Sequence, residues 1–206
     1  GNQRGLYTAK RSADIFRIFD SVFADESGRL VKVLAGQAGN TAVAQTILNA
    51  YLNNIQNVNP THVGADALAI APYFGTANAS ATDVDNALNQ AEASLLQAFT
   101  RMENHHNLLL SNNWELPLIA YEGGQHFVGN TAATNAIFCE ANRHERMREI
   151  YCDYLNFWFD SLGGLFVHFN STAPCGNNGI WGLKEYTGQP DSEAPKYRAI
   201  LECSPL

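Results

Sequence analysis

Apolar residues along the chain follow two alternating patterns, a short continuous run and a longer helical spacing. Continuous apolar runs are typical of buried parallel strands, whereas apolar positions three and four residues apart are typical of amphipathic helices. The runs predict four strands, at residues 30–35, 65–71, 116–121 and 165–169. The helical spacing predicts five helices, at about residues 12–24, 41–55, 82–110, 135–162 and 194–203. Residues 1–11 are polar and are predicted to form an irregular N-terminal segment.

The predicted order is one helix followed by four strand–helix units. Strict alternation of this kind predicts a parallel sheet with right-handed crossovers, and hence an α/β protein. Two architectures fit four such units: an open doubly wound sheet, or part of a (β/α)8 barrel. Because neither a sequence repeat nor a low-complexity linker divides the chain, residues 1–206 are predicted to form a single domain.

Composition narrows the classes of partner. The chain is 46% hydrophobic and 16% charged, with a net charge of -7 and no basic tract, which argues against nucleic acid as a partner. No apolar run approaches the roughly 20 residues needed to span a bilayer, so no membrane partner is expected. No signal peptide is visible, but a processed protein would have lost one, so we expect a secreted or extracellular protein.

The four cysteines are Cys139, Cys152, Cys175 and Cys203, and none forms a CxxC pair that would indicate zinc or redox chemistry. Cys139 and Cys152 lie on one predicted helix, separated by about 20 Å, which is too far for a disulfide between them. A disulfide between Cys139 and Cys175 is conceivable, since both are expected near the same end of the fold. Buried free thiols are the alternative.

The third predicted strand ends at a carboxylate. The stretch LPLIAYEGGQHF begins as an apolar run and stops at Glu122, which two glycines follow. Parallel α/β folds build their chemistry at the carboxyl ends of strands. Gly123 and Gly124 permit a sharp turn and leave the carboxylate unobstructed. Glu122 is therefore the first candidate for a functional residue, and a carboxylate that merely caps a turn is the alternative.

The loops that leave the other predicted strands carry amides, a carboxylate and flat aromatic side chains. Amides and carboxylates bind hydroxyl groups, and aromatic rings stack on the apolar faces of sugars, so this inventory favours a carbohydrate site. No such loop contains a G-x-G-x-x-G or P-loop pattern, which weakens a nucleotide site, and no metal or organic cofactor is expected. The candidate residues are Gln37, Asn40, Tyr73, Phe74, Glu122, Gln125, His126, Asn170 and Trp181.

Three segments, LIAYEGGQH, GLFVHF and IWGLKEYTGQP followed by APKYRAI, resemble the carboxyl-terminal half of the clan A (β/α)8-barrel glycoside hydrolases, particularly their bacterial cellulase-like branch. The resemblance covers essentially the whole chain and implies the second half of a TIM barrel, from the fifth strand to the eighth helix. It implies that Glu122 is the nucleophile of a retaining hydrolase. It further implies that Tyr73 orients Glu122 and that Trp181 forms the floor of a sugar subsite.

The chain departs from this family at the acid/base residue. That residue is the Glu of an Asn-Glu pair after the fourth barrel strand, and this chain has no such pair after a strand. A retaining mechanism needs two carboxyl groups about 5–5.5 Å apart. Glu185 and Asp66 are the other carboxylates to weigh, but Asp66 lies at the amino end of its strand and Glu185 beyond Trp181. The acid/base is therefore expected from residues outside this chain.

Four parallel strands alone would leave two open edges and an uncovered interior face. We therefore expect a missing amino-terminal half, a second chain or self-association to complete the barrel. His168, inside the fourth predicted strand, is interpreted as a hydrogen-bonded barrel-interior histidine, with a metal ligand as the alternative. The alternative function is a non-catalytic carbohydrate-binding or structural extracellular protein on the same scaffold. A flavodoxin-like open sheet is a weaker third hypothesis.

Overall fold

The computed structural model describes residues 2–75, 81–176 and 179–205. Among these residues it has one parallel sheet of three strands, β1 (Val33–Ala35), β2 (Ala67–Ile70) and β3 (Leu118–Ala120), in the order β1-β2-β3. In its register Leu34 pairs with Leu68 and Leu68 pairs with Leu118, and all three leucines are buried. Every residue of β2 is buried, as expected of the central strand of a parallel sheet. The chain is thus an α/β protein.

The fourth predicted strand, residues 165–169, does not form a regular strand. Phe166 makes an isolated bridge, and the Phe169 amide donates a hydrogen bond to the Gly123 carbonyl at 3.0 Å. A regular ladder would need extended backbone in the neighbouring segment, but Gly124 there has a φ of +128°, which is far from the β region. The prediction of four regular strands is therefore wrong, because an apolar run alone does not report its partner's backbone.

Six α-helices lie in the described part of the chain. They are α1 (Asn2–Val22), α2 (Thr41–Leu52), α3 (Val84–Ser111), α4 (Ala132–Arg143), α5 (Glu145–Ser161) and α6 (Pro195–Cys203). Short 3-10 turns lie at Ala24–Arg29, Ile55–Asn57 and Asp191–Glu193.

The first helix begins ten residues earlier than predicted, so residues 2–11 are helical rather than irregular. Ala9 and Ala13, one helical turn apart, are both buried. At Gly5, an added Cβ would lie 2.6 Å from the Thr46 side chain of α2, so the two helices approach closely there. This polar segment is stabilised by packing against α2, a tertiary contact that hydrophobic periodicity does not report.

The helix predicted over residues 135–162 is two helices that meet at His144. The backbone of His144 is extended, with φ -77° and ψ 142°, and its Nδ1 accepts a hydrogen bond from the Arg146 amide at 3.2 Å. The side chain thus caps the first turn of α5.

The chain divides into two compact units. The first unit comprises Gly1–Ala71 and Glu103–Ala120 and contains the whole sheet with α1 and α2. The second unit comprises Pro72–Met102 and Tyr121–Leu206 and contains α4, α5 and α6. All four cysteines lie in the second unit, where disulfides join Cys139 to Cys175 and Cys152 to Cys203. The first of these bonds confirms the pair that the sequence made conceivable.

Candidate functional site

Glu122 and Tyr73 lie beside each other in the second unit. Glu122 lies two residues beyond the end of β3 and is half-buried, as is Tyr73. Burial raises the pKa of the Tyr73 phenol, and the Glu122 charge and its hydrogen bond with the phenol raise it further. Burial and the same carboxylate also raise the pKa of Tyr121. Tyr73 therefore remains a neutral hydrogen-bond donor that can orient the Glu122 carboxylate.

Backbone hydrogen bonds hold the Tyr73 segment against the Glu122 loop. The Phe74 amide donates to the Gly124 carbonyl at 3.1 Å, and the His126 amide donates to the Phe74 carbonyl at 2.8 Å. Phe74 and Gln125 consequently form a parallel bridge. This pairing places Tyr73 beside Glu122 although 49 positions separate them in the sequence.

The glycines after Glu122 are required by two buried tyrosines. A Cβ at Gly123 would lie 2.5 Å from Cζ of Phe166 and 3.1 Å from the Tyr154 hydroxyl. A Cβ at Gly124 would lie 2.7 Å from the Tyr151 hydroxyl, and φ there is +128°. The backbone of this loop therefore packs directly against these side chains, and this packing fixes the position of Glu122.

Both tyrosine hydroxyls bond to backbone near Glu122. Tyr154 donates to the Pro72 carbonyl at 2.7 Å, and the Tyr151 oxygen accepts the Gln125 amide at 2.9 Å. Burial raises the pKa of each phenol, so both remain neutral. Each tyrosine thus holds one of the two segments that carry Tyr73 and Glu122.

Aromatic rings continue from Tyr73 in a row of edge-to-face contacts. Ring centroids are 5.3 Å apart for Tyr73 and His126, 5.7 Å for His126 and Trp181, and 5.6 Å for Trp181 and Phe169. Tyr73, His126 and Trp181 are half-buried, and Phe169 is exposed. The structure therefore brings four of the predicted site residues together, Glu122, Tyr73, His126 and Trp181.

Gln125 lies beneath this row instead of facing solvent. It is 0% exposed, and its Oε1 accepts a hydrogen bond from Lys196 Nζ at 3.2 Å. The expected direct contact of Gln125 with substrate does not fit this burial, because no part of the side chain reaches the surface. Gln125 can act on a ligand only through the groups that it holds.

Gln37 and Asn40, the other expected substrate-binding residues, belong to the first unit. They pair with each other, since the Asn40 amide donates to the Gln37 carbonyl at 2.9 Å. Asn40 precedes α2 as its N-cap residue, although its side chain makes no capping hydrogen bond. Their described contacts are those of a turn that begins a helix. None of these contacts involves the residues around Glu122.

Lys196 is a site residue that sequence reasoning missed. It lies in the first turn of α6, is 1% exposed, and contacts Gln125. Its position on the buried face of α6, with Pro195 and Ala199, could have revealed it. A lysine at such a position must either bury its amine or extend the side chain until the amine reaches solvent.

His168 is half-buried against aromatic side chains of the second unit, and its place inside a barrel stays a prediction. Its ring centroid is 4.7 Å from that of Phe166 and 6.1 Å from that of Tyr151. Burial lowers the pKa of His168 to about 4, and the positive charge of Lys196 contributes to the lowering. Nδ1 has no hydrogen-bond partner within the described residues.

Two other carboxylates considered from the sequence are already engaged. Glu185 forms a two-pronged ion pair with Arg143, with N–O distances of 2.6 and 2.7 Å. In the first unit, Asp66 Oδ2 accepts the Lys32 amide at 2.6 Å, at the amino end of β2. Among the described residues, no group of three or more His, Cys, Asp or Glu side chains is placed to hold a metal ion.

Comparisons with known proteins identify no relative: no family model matches this chain, and no curated protein sequence is significantly similar to it. Within residues 2–75, 81–176 and 179–205, no helix has the length and apolar character needed to cross a membrane. The site must therefore be interpreted from its own geometry.

Proposed function

We propose that this chain is the carboxyl-terminal part of a retaining glycoside hydrolase of the clan A (β/α)8-barrel type. The observation that carries the proposal is the backbone pairing of Phe74 with Gln125, which places Tyr73 beside Glu122, two residues beyond the carboxyl end of β3. Trp181 and His126 continue the site as half-buried rings of the kind that stack on sugars. On one side of the sugar this reaction needs a nucleophile, a phenol that orients it and an aromatic surface. Glu122, Tyr73 and Trp181 would fill these roles.

In the proposed reaction, Glu122 attacks the anomeric carbon and forms a glycosyl-enzyme ester while the bond to the leaving oxygen breaks. A second carboxylic acid gives its proton to that oxygen, and as a carboxylate it then takes a proton from the water that cleaves the ester. Tyr73 donates a hydrogen bond to Glu122 and keeps one carboxylate oxygen aimed at the sugar. No metal or organic cofactor takes part.

The second carboxylic acid is proposed to come from residues that complete the barrel, either another segment of a longer protein or a second chain. Exposed apolar side chains in each unit support the existence of such a covering part. Val31 in the first unit is 70% exposed and Leu165 in the second is 65% exposed, and Val167 and Phe169 continue the latter surface. A stable, monodisperse monomer of this chain alone would contradict the need for completion.

Covalent trapping tests the assignment of the nucleophile. The complete protein is incubated with 2,4-dinitrophenyl 2-deoxy-2-fluoro-β-glucoside, and its peptides are then sequenced by mass spectrometry. A label on Glu122 is expected, and Glu122→Gln should abolish it. Glu185→Gln is the matched control and should keep the label, because Glu185 is paired with Arg143. A label on any other residue would discard the assignment.

The second candidate is a non-catalytic carbohydrate-binding protein on the same scaffold. The observation that favours it is that the described residues supply one carboxylate, Glu122, at the aromatic row, whereas Glu185 is held by Arg143. Binding of cellohexaose without hydrolysis, unchanged by Glu122→Gln but lost in Trp181→Ala, would select this function. We also propose an extracellular location, which the two disulfides support because such bonds persist in oxidising compartments.

A further inference from the structure

Lys196 makes three hydrogen bonds in the interior of the second unit. Its Nζ lies 3.2 Å from Gln125 Oε1, 3.1 Å from the Ile180 carbonyl and 3.1 Å from the Trp181 carbonyl. Two of these acceptors belong to the backbone that carries Trp181, and the third belongs to the neighbour of His126. One buried amine therefore joins two of the chain segments whose rings form the aromatic row, those of His126 and Trp181.

The number of acceptors matches the charged form of the lysine. A protonated amine has three N–H donors and no acceptor, so it satisfies all three oxygens at once. A neutral amine has two N–H donors and a lone pair, so one of the three oxygens would face that lone pair. A buried carbonyl that loses its donor costs about 1–3 kcal/mol.

Gln125 offers a way to accommodate the neutral amine. Its Nε2 is buried and has no hydrogen-bond partner among the described residues. A half-turn of the side-chain amide would present Nε2–H to the lone pair of Lys196 and turn Oε1 to the position that Nε2 now occupies. The protonation state of the amine thus selects the orientation of the amide.

We propose that Lys196 is a positioning residue: as a cation it holds the Trp181 backbone against the Glu122 loop, and loss of its proton turns the Gln125 amide and loosens Trp181, because the charge-assisted hydrogen bonds to the Ile180 and Trp181 carbonyls become weaker neutral ones. The effect on Trp181 follows from the structure alone. Its consequence for sugar binding rests on the proposed function.

Neighbouring groups set the pH at which this occurs. Burial lowers the pKa of Lys196 to about 7, and the negative charge of Glu185 opposes the lowering. The Tyr151 ring of α5 lies 5.8 Å from Nζ and is neutral, because burial raises the pKa of its phenol. His168 is also neutral at pH 7, because its pKa is lowered to about 4. The charge that changes near neutral pH inside this cluster is therefore that of Lys196.

The proposal is tested by ¹⁹F NMR of the full chain containing 5-fluorotryptophan at its three tryptophans. The Trp181 resonance is assigned as the one that is missing from Trp181→Phe. Between pH 5.5 and 8.5 it should shift with a midpoint near 7, and the step should disappear in Lys196→Met. Lys184→Met is the matched control and should keep the step, because Lys184 bonds Asp191 and the Gln189 carbonyl instead.

Two further variants decide the interpretation. The His126 ring also contacts Trp181, so the step must persist in His126→Gln; its loss there would overturn the proposal. Gln125→Glu places a carboxylate beside the amine and should raise the midpoint by about one unit or more. This variant decides the matter if Lys196→Met fails to fold. An unchanged midpoint in Gln125→Glu, or a step that survives in folded Lys196→Met, would overturn the proposal.

A binding measurement separates this inference from the proposed function. If Trp181 forms the sugar wall, the Kd of cellohexaose should rise from pH 6 to pH 8 by a factor of up to about ten, because the charged fraction of an amine with a pKa near 7 falls by that factor. The same ratio should be near one in Lys196→Met. Absence of cellohexaose binding at both pH values would count against the proposed function, whereas the NMR titration, which needs no sugar, still decides the role of Lys196.

Discussion

The interiors of the two units differ in chemistry. In the first unit the described buried residues are mostly aliphatic, and the exceptions are Tyr51, Asn59 and His105. In the second unit the interior is aromatic and polar and is cross-linked by both disulfides. Its buried aromatic and cationic residues are Phe74, Phe127, Phe138, Tyr151, Tyr154, Trp158 and Lys196.

This difference concerns the proposed site, which lies in the second unit. Aliphatic packing supplies stability without fixing the direction of any polar group. Buried phenols and an amine are costly unless each meets a partner, and here their partners are the segments beside Glu122. The interior of the second unit is therefore less favourable in free energy but fixes the positions of its polar groups. The two disulfides offset part of the free energy that this burial costs.

The largest expected effect is removal of the Cys152–Cys203 disulfide. The bond closes a loop with a sequence separation of 51, so the double variant Cys152→Ser, Cys203→Ser should lower the free energy of unfolding by about 4 kcal/mol. Urea denaturation measures the loss. Hydrogen exchange should become faster in α5 and α6 but not in β1 and α2. Faster exchange in β1 and α2 as well would contradict the idea that the disulfide stabilises the second unit alone.

Acid should destabilise the second unit through His168. Its pKa is about 4 in the folded protein and about 6.5 when unfolded, so between these values the unfolded state binds more protons. Stability should therefore fall as the pH drops from 6.5 towards 4, by about 3 kcal/mol in total. The urea midpoint of the wild type should fall relative to that of His168→Phe as the pH drops from 6.5 towards 4. Parallel curves for the two proteins would show that His168 is not responsible.

Gly124→Ala should destabilise the second unit by about 2–3 kcal/mol. The new Cβ would occupy a φ of +128° and lie 2.7 Å from the Tyr151 hydroxyl. Gly163→Ala is the matched control, since its φ is +72° but nothing lies within 4 Å of the new Cβ, and it should cost only about 1 kcal/mol. Thermal unfolding compares the two. Equal losses would mean that the Glu122 loop is not held by Tyr151.

The smallest effect is expected on the surface of the first unit. Val22 is 67% exposed and Val31 is 70% exposed, so Val22→Lys and Val31→Lys should change the free energy of unfolding of this chain by less than about 0.5 kcal/mol. In a complete protein whose added part covers Val31, the second substitution should cost several times more. A large loss in this chain alone would mean that self-association already covers Val31.

Sequence patterns predicted the parallel sheet because each of its strands is a short apolar run that is separated from the next by a helix. Leu34, Leu68 and Leu118 each lie inside a predicted strand, and all three pair across the sheet. The same rule failed at residues 165–169, where the apolar run is present but its neighbour, Gly124, leaves the β region. A run of side chains reports burial, but strand formation also depends on the backbone of a second segment.

The candidate site was predicted in part for a similar reason. The ends of predicted strands and the aromatic residues in the loops that follow them can be identified from the sequence alone. This is why the prediction included Glu122, Tyr73, His126 and Trp181. The burial of Gln125 and the role of Lys196 were not, since both depend on a contact across 71 positions of sequence. The helix over residues 2–11 was missed because packing against α2, not periodicity, stabilises it.

The position of the disulfides along the chain has a consequence for biosynthesis. Cys139 and Cys152 leave the ribosome first, Cys175 follows, and Cys203 comes 28 positions after Cys175. At a synthesis rate of roughly 5–20 residues per second, Cys175 meets two unpaired thiols for a period of seconds before the partner of Cys152 emerges. Correct pairing then depends on α4 and α5 having separated their thiols at His144, or on an isomerase that exchanges a wrong bond. The helix break at His144 thus keeps Cys139 and Cys152 on separate helices, α4 and α5.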